Sequence, residues 1–295
     1  MASSWRSAAS VIIVESVRHR ILLAKRASNA SFMPNTIVFP GGTVDKLNDN
    51  TFPLDKTNEP MKREDFHLKI TALRELFEEC GIIPIVDDTG RRKLITSSSN
   101  DCLAVQQDRL HDKAGLFVNL FTDHLLDLRL DTASMKAHSN WLTPADYIKR
   151  FDTFFYLISV EKAVKPRVYK GELSSADWNC AKSILDAASK GKYHLAPPQF
   201  YELTRLSKPK QWNNLESETD VHNSTKICPQ MVEVDENRTI GLLNGDQAYI
   251  EGERAYFTKI RPANGKILQP DPDKCIHRFE IEKHPKNGET MKMYL

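Results

Sequence analysis

The sequence lacks three features that would each have indicated a special class of protein. Its longest apolar runs, such as residues 11–14, are far too short to span a membrane. Neither sign of charge is in excess, since 41 basic and 39 acidic residues leave a net charge of +2, so charge alone does not indicate nucleic-acid or membrane binding. The five cysteines are odd in number and scattered, which indicates reduced thiols in an intracellular protein rather than disulfides or a zinc site.

Two further absences narrow the chemistry. The nine histidines show no metal-ligand spacing, and no Ser-His-Asp or Cys-His arrangement can be recognised along the chain. The chain has no internal repeat. Any active site therefore has to be sought among other residue types, and the 39 acidic residues are the first to consider.

The 295 residues are enough for one sizeable core and a smaller appended unit. Hydrophobic patterning predicts strands at residues 8–14, 20–24, 36–39, 141–142, 154–158, 231–234, 239–243 and 247–250. It predicts helices at about residues 64–80, 101–112, 115–127, 176–190 and from 197 onward. Residues 43–63 are polar and predict a loop, and Asn244–Gly245 predicts a turn between two strands. The mixed order predicts an α+β protein whose sheet is sandwiched by helices, with a β-rich C-terminal extension.

The predicted helix at 64–80 has an apolar face and an acidic face. At about 100° per residue, one arc collects its apolar side chains, Phe66, Leu73, Phe77 and Cys80. Glu75, Glu78 and Glu79 fall on the opposite side. Carboxylates this close repel one another unless a cation lies among them, and Mg²⁺ or Mn²⁺ prefers oxygen ligands of this kind. The alternative interpretation is an acidic face that is only solvated.

The residues around this helix favour the metal site. Arg74 directly precedes the glutamates and Gly81 follows the helix, while a Phe39-Pro40-Gly41-Gly42 turn lies upstream. The run from Arg74 to Ile82 resembles the second half of the Nudix box, Arg-Glu-apolar-x-Glu-Glu-x-Gly-apolar. The resemblance implies a Nudix hydrolase in which Glu75, Glu78 and Glu79 bind the metal and Arg74 orients them. It also implies a Nudix α/β/α sandwich with a mixed sheet.

The first half of the box departs from the family pattern. Counting back from Arg74, its glutamate position falls on Phe66 and its glycine position on Pro60. About 18 residues are therefore inserted between Gly42 and the helix, at about 43–63, and the residue that replaces the first glutamate is not identified by the sequence.

An interrupted box of this kind resembles the Nudix motif 19 group, the peroxisomal acyl-coenzyme A diphosphatases. The segments that carry this resemblance are residues 32–42, 151–156, 195–203 and 241–250. It implies a hydrolase domain at residues 8–205 and, at 206–295, a C-terminal extension with β-hairpin character that packs on it. It also implies a peroxisomal location, although the C-terminal Met-Tyr-Leu is a poor targeting signal and cytoplasm or mitochondrion are alternatives.

Residues before the turn are similar to a signature of coenzyme A hydrolases. Lys25 and Arg26 lie at the spacing from Phe39 that the signature requires, and they would meet phosphate, with Phe39, Gly41 and Gly42 completing the substrate contacts. Ser31 and Asn35 replace an arginine and a glycine of that signature. One basic contact is therefore missing.

The resemblance implies hydrolysis of the diphosphate of coenzyme A or an acyl-coenzyme A to adenosine 3′,5′-bisphosphate and (acyl-)4′-phosphopantetheine. The general base would be Glu78, Glu79 or the distant Glu172, with Glu161 as a weaker alternative. Two other functions remain open. One is a Nudix hydrolase of NADH, ADP-ribose or capped RNA, and the other is a catalytically silent module that binds a nucleotide. A homodimer is a further expectation, whereas nucleic acid other than capped RNA and membrane are not expected partners.

Overall fold

The fold is taken from a computed structural model of the chain. The structure describes residues 5–30, 33–111, 113–169, 171–208, 212, 226–252, 256, 261–262, 275–284 and 288–295. Among these residues, no helix combines the length and the apolar character needed to cross a bilayer.

The chain alternates between strands and helices over most of its length. The strands are β1 (Arg6–Glu15), β2 (Arg20–Arg26), β3 (Thr36–Val38), β4 (Gly41–Thr43), β5 (Ile82–Asp87), β6 (Arg92–Thr96), β7 (Leu128–Leu130), β8 (Lys136–Leu142), β9 (Phe151–Val160), β10 (Leu173–Asn179), β11 (His194–Leu195), β12 (Gln230–Glu233), β13 (Arg238–Leu242), β14 (Arg261–Pro262), β15 (Arg278–His284) and β16 (Gly288–Tyr294). The α-helices are α1 (Asn48–Thr51), α2 (Phe66–Cys80), α3 (Asp101–Leu110), α4 (Ala181–Ser189) and α5 (Pro197–Leu206).

The largest sheet is mixed and has the order β11-β3-β2-β1-β9-β8, with β10 paired to β2 and β4 paired to β1. Its centre is the long parallel pairing of β1 with β9, while β2, β4 and β8 add antiparallel neighbours. A smaller sheet, β6-β5-β7, follows α2 directly. β4, which carries two glycines, pairs with the first residues of β1 and lies against α2.

Side chains alternate between two cores on the two faces of the large sheet, as the period of two in a strand requires. On β1, Val11 and Ile13 join the core around α2, whereas Ile12 and Val14 join the core around α4 and α5. The sheet is therefore buried between helices on both faces, which explains why β1 is apolar at every position from Val11 to Val14.

The C-terminal residues form a separate sheet of order β14-β12-β13-β15-β16, and the antiparallel pairs β12–β13 and β15–β16 confirm the predicted hairpin character. Residue Ile227 attaches this sheet to the large one by a bridge to Trp141 on β8. Inside the extension, Arg278 and Asp246 form a buried two-point ion pair, with Nε–Oδ2 and Nη2–Oδ1 distances of 2.8 Å.

Some element predictions are confirmed and others are wrong. The helix expected at about 64–80 spans Phe66–Cys80. The helix expected at 176–190 is wrong for its first residues, because 176–179 belong to β10, where Ala176 and Trp178 pair with β2 and alternate with exposed neighbours. Tertiary pairing overrides the weak helical pattern at this position.

Three other expectations also need correction. Residues 115–127 are not one helix, since only a 3-10 turn (Ala114–Leu116) and a π-helical turn (Leu120–His124) form. Residues 247–250 are a loop, although the turn at 244–245 is present, and the second neighbour of β13 is β15. The segment 43–63, expected to be a loop, contains the short helix α1.

Candidate active site

The C-terminal end of helix α2 lies against the segment that contains Arg167 and Tyr169. Gly81 takes a left-handed conformation with φ of 66° and donates its N–H to the Phe77 carbonyl. The last carbonyls of the helix are not left bare, because the amides of Arg167 and Tyr169 donate to the carbonyls of Cys80 and Glu79. This crossing brings the chain that leads to Glu172 to the acidic end of α2.

Arg74 is buried and lies at the centre of a network of carboxylates. Its Nη1 donates to Glu75 Oε1 at 2.9 Å and to Glu78 Oε1 at 3.0 Å. Its Nε and Nη2 donate to Asp49 Oδ1 and Oδ2 at 2.9 and 3.0 Å, and Nη2 also reaches the Thr43 carbonyl. Burial opposes the charge of this guanidinium, but the three carboxylates outweigh burial and raise the pKa of Arg74.

Asp49 is the third carboxylate that contacts Arg74. It lies on α1, only 1% exposed, and it also accepts from Thr71 Oγ1 at 2.7 Å and from the Asp45 amide at 2.8 Å. Because Asp49 accepts hydrogen bonds from Nε and Nη2 of Arg74, Nη1 is available to donate to Glu75 and Glu78. Asp49 is close to Gly42 in sequence, and the extra residues of the insertion therefore lie mainly after it.

The glycine turn lies directly on the acidic face of α2. A Cβ on Gly42 would lie 2.4 Å from Glu75 Cδ, so a side chain at this position would displace the carboxylate. The amide of Gly41 donates to Glu79 Oε2 at 3.1 Å. The turn and the helix therefore form one unit in which Gly41 orients Glu79 and Gly42 leaves room for Glu75.

The positive charges near Glu75, Glu78 and Glu79 do not fully offset the cost of burying these carboxylates. Burial raises the pKa of Glu75 to about 7; Arg74 opposes this rise, whereas Glu78 and Glu172 add to it. Burial also raises the pKa of Glu78, which Arg74 lowers in part. Burial raises the pKa of Glu79 well above its usual range, Glu75 adds to the rise, and the Gly41 amide offsets only part of it.

Glu172 belongs to the same electrostatic group. Its charge contributes to the raised pKa of Glu75, Glu78 and Glu79, and its backbone carbonyl accepts from the Ala27 amide at 2.9 Å. Arg26 lies just before Ala27 at the end of β2 and lowers the pKa of Glu79. Glu172, which is far from α2 in sequence, and Arg26, at the end of β2, therefore both act on the charge of Glu79.

The residues of this group fit a divalent cation. Every anionic donor is a carboxylate oxygen, which suits Mg²⁺ or Mn²⁺, and Asp49 already matches the charge of Arg74. Glu75, Glu78, Glu79 and Glu172 therefore carry more negative charge than the nearby arginines balance. In the part of the chain that the structure describes, no three carboxylates, imidazoles or thiols are already gathered at metal-ligand spacing, because Glu75 and Glu78 turn onto Arg74.

A cavity of about 470 Å³ opens from this group. Its polar wall is formed by Arg26, Gly41, Gly42, Glu75, Glu79 and Glu172. Its other wall is apolar and continues to the C-terminal sheet. The volume is in the range of pockets that bind small molecules and cofactors.

The structure brings most of the predicted site residues together. Phe39 lines the cavity, and its ring meets Phe155 edge-on at 6.2 Å between centroids. Glu78 contacts Arg74 but does not line the cavity, and neither Lys25 nor Glu161 is among the lining residues. The roles of all these residues stay predictions.

The coenzyme A signature can also be followed in the structure. Asn35, at the position of the signature's glycine, has a φ of 61°, a left-handed conformation that asparagine tolerates better than most residues. Ser31, at the position of the missing arginine, lies outside the described residues.

Comparison with known proteins agrees with this geometry. Residues 49–206 match the family model of the NUDT19 Nudix domain. Nudix hydrolase 7 of Caenorhabditis elegans is 35% identical to this chain over 98% of the chain and 90% of its own length. The acyl-coenzyme A diphosphatase NUDT19 of Xenopus laevis is 26% identical over 79% of this chain and 72% of its own, and the human protein of that name is 25% identical over 84% and 81%.

A solved structure shows the same fold. The NUDIX hydrolase from Alicyclobacillus acidocaldarius is 23% identical and superposes with a TM-score of 0.59, over 70% of this chain and 93% of that one. The predicted α+β fold with a mixed sheet and a C-terminal set of strands is confirmed.

Proposed function

This chain belongs to the Nudix hydrolase family and is a Nudix diphosphatase, and from that premise we propose that it hydrolyses the diphosphate linkage of coenzyme A or an acyl-coenzyme A. The observation that carries the proposal is the cavity in which Glu75, Glu79 and Glu172 face Arg26 beside the Gly41–Gly42 turn. Relatives named as acyl-coenzyme A diphosphatases, similar over about four fifths of this chain, support the choice of substrate.

Nudix hydrolases use divalent cations, and in this chain Glu75, Glu78 and Glu79 would hold Mg²⁺ or Mn²⁺. When bound, the cation would neutralise charge on the diphosphate and lower the pKa of the attacking water. Arg74 orients Glu75 and Glu78, and Asp49 fixes Arg74. Arg74 therefore keeps Glu75 and Glu78 beside the site, and these carboxylates would turn from Arg74 toward the cation when it binds.

The remaining steps use residues of the cavity wall. Glu172 would accept the proton of the attacking water, because it lines the cavity beside Glu75 and Glu79 and a carboxylate near a bound cation suits this role. Arg26 would bind a phosphate oxygen of the substrate. The water oxygen is added to one phosphorus, the bridging P–O bond breaks, and adenosine 3′,5′-bisphosphate and (acyl-)4′-phosphopantetheine leave.

We assign residues 8–205 to the hydrolase domain and 206–295 to an extension that completes the cavity. The assignment is supported by Met231 and Phe279 of the extension, which line the same cavity as Glu75 and Glu79.

The proposal is tested by incubating the purified chain with Mg²⁺ or Mn²⁺ and coenzyme A, octanoyl-coenzyme A, NADH, ADP-ribose or capped RNA. Mass spectrometry of the products should show adenosine 3′,5′-bisphosphate from the two coenzyme A compounds. Cleavage of NADH or ADP-ribose without cleavage of coenzyme A would contradict the proposed substrate. Loss of all turnover with either metal would instead support a silent nucleotide-binding module.

A further inference from the structure

The connection between β9 and β10, residues 161–172, leads the chain to Glu172. Its described residues form neither a helix nor a strand, so their backbone groups need partners in other elements. The Lys165 carbonyl, for example, accepts from Thr96 Oγ1 at 2.7 Å and from Ser98 Oγ at 2.8 Å. The position of this connection is therefore set by the groups that bind it from outside.

Gln107 on α3 joins the connection to the end of α2. Its side chain is 0% exposed, and its Nε2 donates to the Glu78 carbonyl at 3.0 Å and to the Arg167 carbonyl at 2.8 Å. Its Oε1 accepts from Ser97 Oγ at 2.6 Å and from Arg167 Nη1 at 2.9 Å. Both N–H groups and both lone pairs of the amide are thus used, and one side chain contacts α2 and the connection at once.

Glutamine is the residue type that this contact requires. A glutamate would present acceptors alone to two carbonyl oxygens, and an apolar side chain would leave both of them without this donor. The end of α2 is also shaped for the contact, because a Cβ on Gly81 would lie 2.0 Å from Ser97 Oγ and 2.7 Å from Gln107 Oε1. The glycine that ends α2 therefore makes room for Gln107 and its partner.

The backbone is held on both sides of Glu172. On one side, the Tyr169 amide donates to the Glu79 carbonyl at 3.2 Å, and the Tyr169 ring stacks on His111, which follows α3, at 4.0 Å between centroids. On the other side, the Glu172 carbonyl accepts from the Ala27 amide at 2.9 Å. A shift of the connection where it meets α3 would therefore be passed on to Glu172.

We propose that Gln107 is a positioning residue for Glu172, because it holds the connection that carries Glu172 against the end of α2. The inference rests on the proposed function, in which Glu172 accepts the proton of the attacking water. It deepens that function by making α3, which contributes no residue to the cavity wall, the element that sets the position of Glu172 relative to the carboxylates of α2.

A second contact between α3 and the connection is less suited to this role. Asp108 forms an ion pair with Arg167 Nη2 at 2.8 Å, but the two side chains are 51% and 32% exposed. Exposed ion pairs contribute little because water competes for both charges. The buried amide of Gln107, which binds backbone on both sides, is the stronger constraint.

The test is a double-mutant cycle on the full chain with coenzyme A as the substrate and saturating Mg²⁺. Gln107→Met keeps the side-chain volume and removes the hydrogen bonds, so it should lower kcat by about 10–100-fold and change KM by less than about twofold. Glu172→Gln should itself lower kcat by about 10²–10⁴-fold. In that background Gln107→Met should lower kcat by less than about threefold further, because the group that Gln107 positions is already removed.

Three results of the cycle would overturn the inference: an unchanged kcat for Gln107→Met, an unchanged kcat for Glu172→Gln, or the same loss from Gln107→Met in both backgrounds. The wild type reports separately on the proposed function. If it cleaves NADH or ADP-ribose but not coenzyme A, the proposed substrate is wrong, and the same cycle with the cleaved compound decides the role of Gln107. If it cleaves none of these compounds, both proposals are rejected.

The dependence of the rate on Mg²⁺ separates Glu172 from the metal ligands. If Gln107 acted through Glu78, whose carbonyl it binds, the Mg²⁺ concentration for half-maximal rate would rise by about 10–100-fold in Gln107→Met, and saturating Mg²⁺ would restore kcat. We expect this concentration to change by less than about twofold while kcat stays low. A kcat restored by Mg²⁺ would contradict the proposed role.

Two control variants lie on the same helix. Leu103→Ala removes a buried side chain of the core around α2 and should lower stability without lowering kcat of the folded fraction, and Asp108→Asn should change kcat by less than about twofold. A loss in either control as large as in Gln107→Met would mean that the stability of α3 or the exposed ion pair is responsible. If Gln107→Met does not fold, Ser97→Ala, which removes one hydrogen bond to Gln107, should lower kcat by about three- to tenfold, and an unchanged kcat there would overturn the inference.

Discussion

Two glutamates are almost fully buried on opposite faces of the large sheet, and their surroundings differ. Glu202 on α5 is 0% exposed and accepts from His138 Nε2 at 2.9 Å and from Ser139 Oγ at 2.6 Å, with Arg205 Nη1 at 3.2 Å. Glu79 on α2 is 3% exposed, and its Oε2 accepts a hydrogen bond from the Gly41 amide at 3.1 Å. The two carboxylates are thus similarly buried, but Glu202 has more hydrogen-bonding and cationic partners than Glu79.

The electrostatic result follows from these partners. Burial alone would raise the pKa of Glu202, but His138, Arg205 and Ser139 outweigh burial and lower it to about 2. Around Glu79, burial, Glu75 and Glu172 act in the same direction, and the pKa of Glu79 rises. A buried acid with cationic partners stabilises the fold, whereas a buried acid with too few of them indicates a place where an external cation binds.

The largest effect should come from Glu79→Gln. Because the side chain would be a metal ligand beside the reacting phosphate, kcat for coenzyme A hydrolysis should fall by about 10²–10⁴-fold. In EDTA the same variant should be as stable as the wild type or more stable, since it removes a charge that burial disfavours. Steady-state kinetics and chemical unfolding measure the two quantities, and a retained kcat would show that Glu79 is not at the reacting centre.

The counterpart, Glu202→Gln, should behave in the opposite way. It leaves Arg205 buried without its carboxylate and should cost about 3–5 kcal/mol of unfolding free energy. The kcat of the folded fraction should stay close to the wild-type value, because Glu202 is not among the cavity-lining residues. A large loss of kcat without loss of stability would break the comparison between the two glutamates.

A smaller effect is expected for Asp49→Asn. The variant keeps the shape of the side chain but removes the charge that fixes Arg74, so kcat should fall by about 10–100-fold. Asp49→Glu, which restores the charge, should recover part of that loss.

The matched control for Asp49→Asn is Glu59→Gln in the same insertion. Glu59 is ion-paired with Lys69 of α2 at 2.6 Å, and both side chains are nearly buried. This control should lower stability and leave kcat unchanged. If both variants lowered kcat alike, Asp49 would be acting through the general stability of α2 rather than through Arg74.

The smallest effect expected is a pH dependence of stability that differs between the two sites. Glu202 has a folded pKa of about 2 against an ordinary value of 4.5, so its contribution is complete above about pH 4.5 and is lost as the pH falls toward 2. Glu75 has a folded pKa of about 7, so its ionisation destabilises the fold as the pH rises from 4.5 through 7. In EDTA the chain should therefore be more stable at about pH 5 than at about pH 8.

Chemical unfolding with and without divalent cation separates the two contributions. Saturating Mg²⁺ should stabilise the chain most at the higher pH, where the carboxylates are charged and can bind it. If the free energy of unfolding in EDTA instead rose from pH 5 to pH 8, burial could not be raising the pKa of the helix glutamates as we infer.

Local signals in the sequence predict the helix and its carboxylates well. The spacing of Leu73 and Phe77 against Glu75 and Glu79 defines two faces at the period of a helix, and Gly81 gives its end. These signals are contained within about five turns of one segment, so no long-range contact is needed to recognise them.

The parts that the sequence does not predict depend on contacts between distant segments. Asp49 lies in a polar stretch whose other acids, Asp45, Asp55 and Glu59, are equally plausible from the sequence, and only the approach of α1 to α2 selects it. The strand at 173–179 is defined by its pairing with β2, and residues 247–250 are a loop that follows Asp246, which is ion-paired with Arg278. Periodicity within a window carries no information about such pairings.

The bridge between Ile227 and Trp141 has a consequence for solubility. β8 is the last strand of the large sheet, and its free backbone groups would be a template for another chain. The Ile227 amide donates to the Asn140 carbonyl and its carbonyl accepts from the Leu142 amide, each at 2.8 Å, which occupies that edge. The chain beyond residue 226 therefore protects the sheet from pairing with other molecules, and a protein truncated before it would expose both this edge and the apolar side of Trp141 to aggregation.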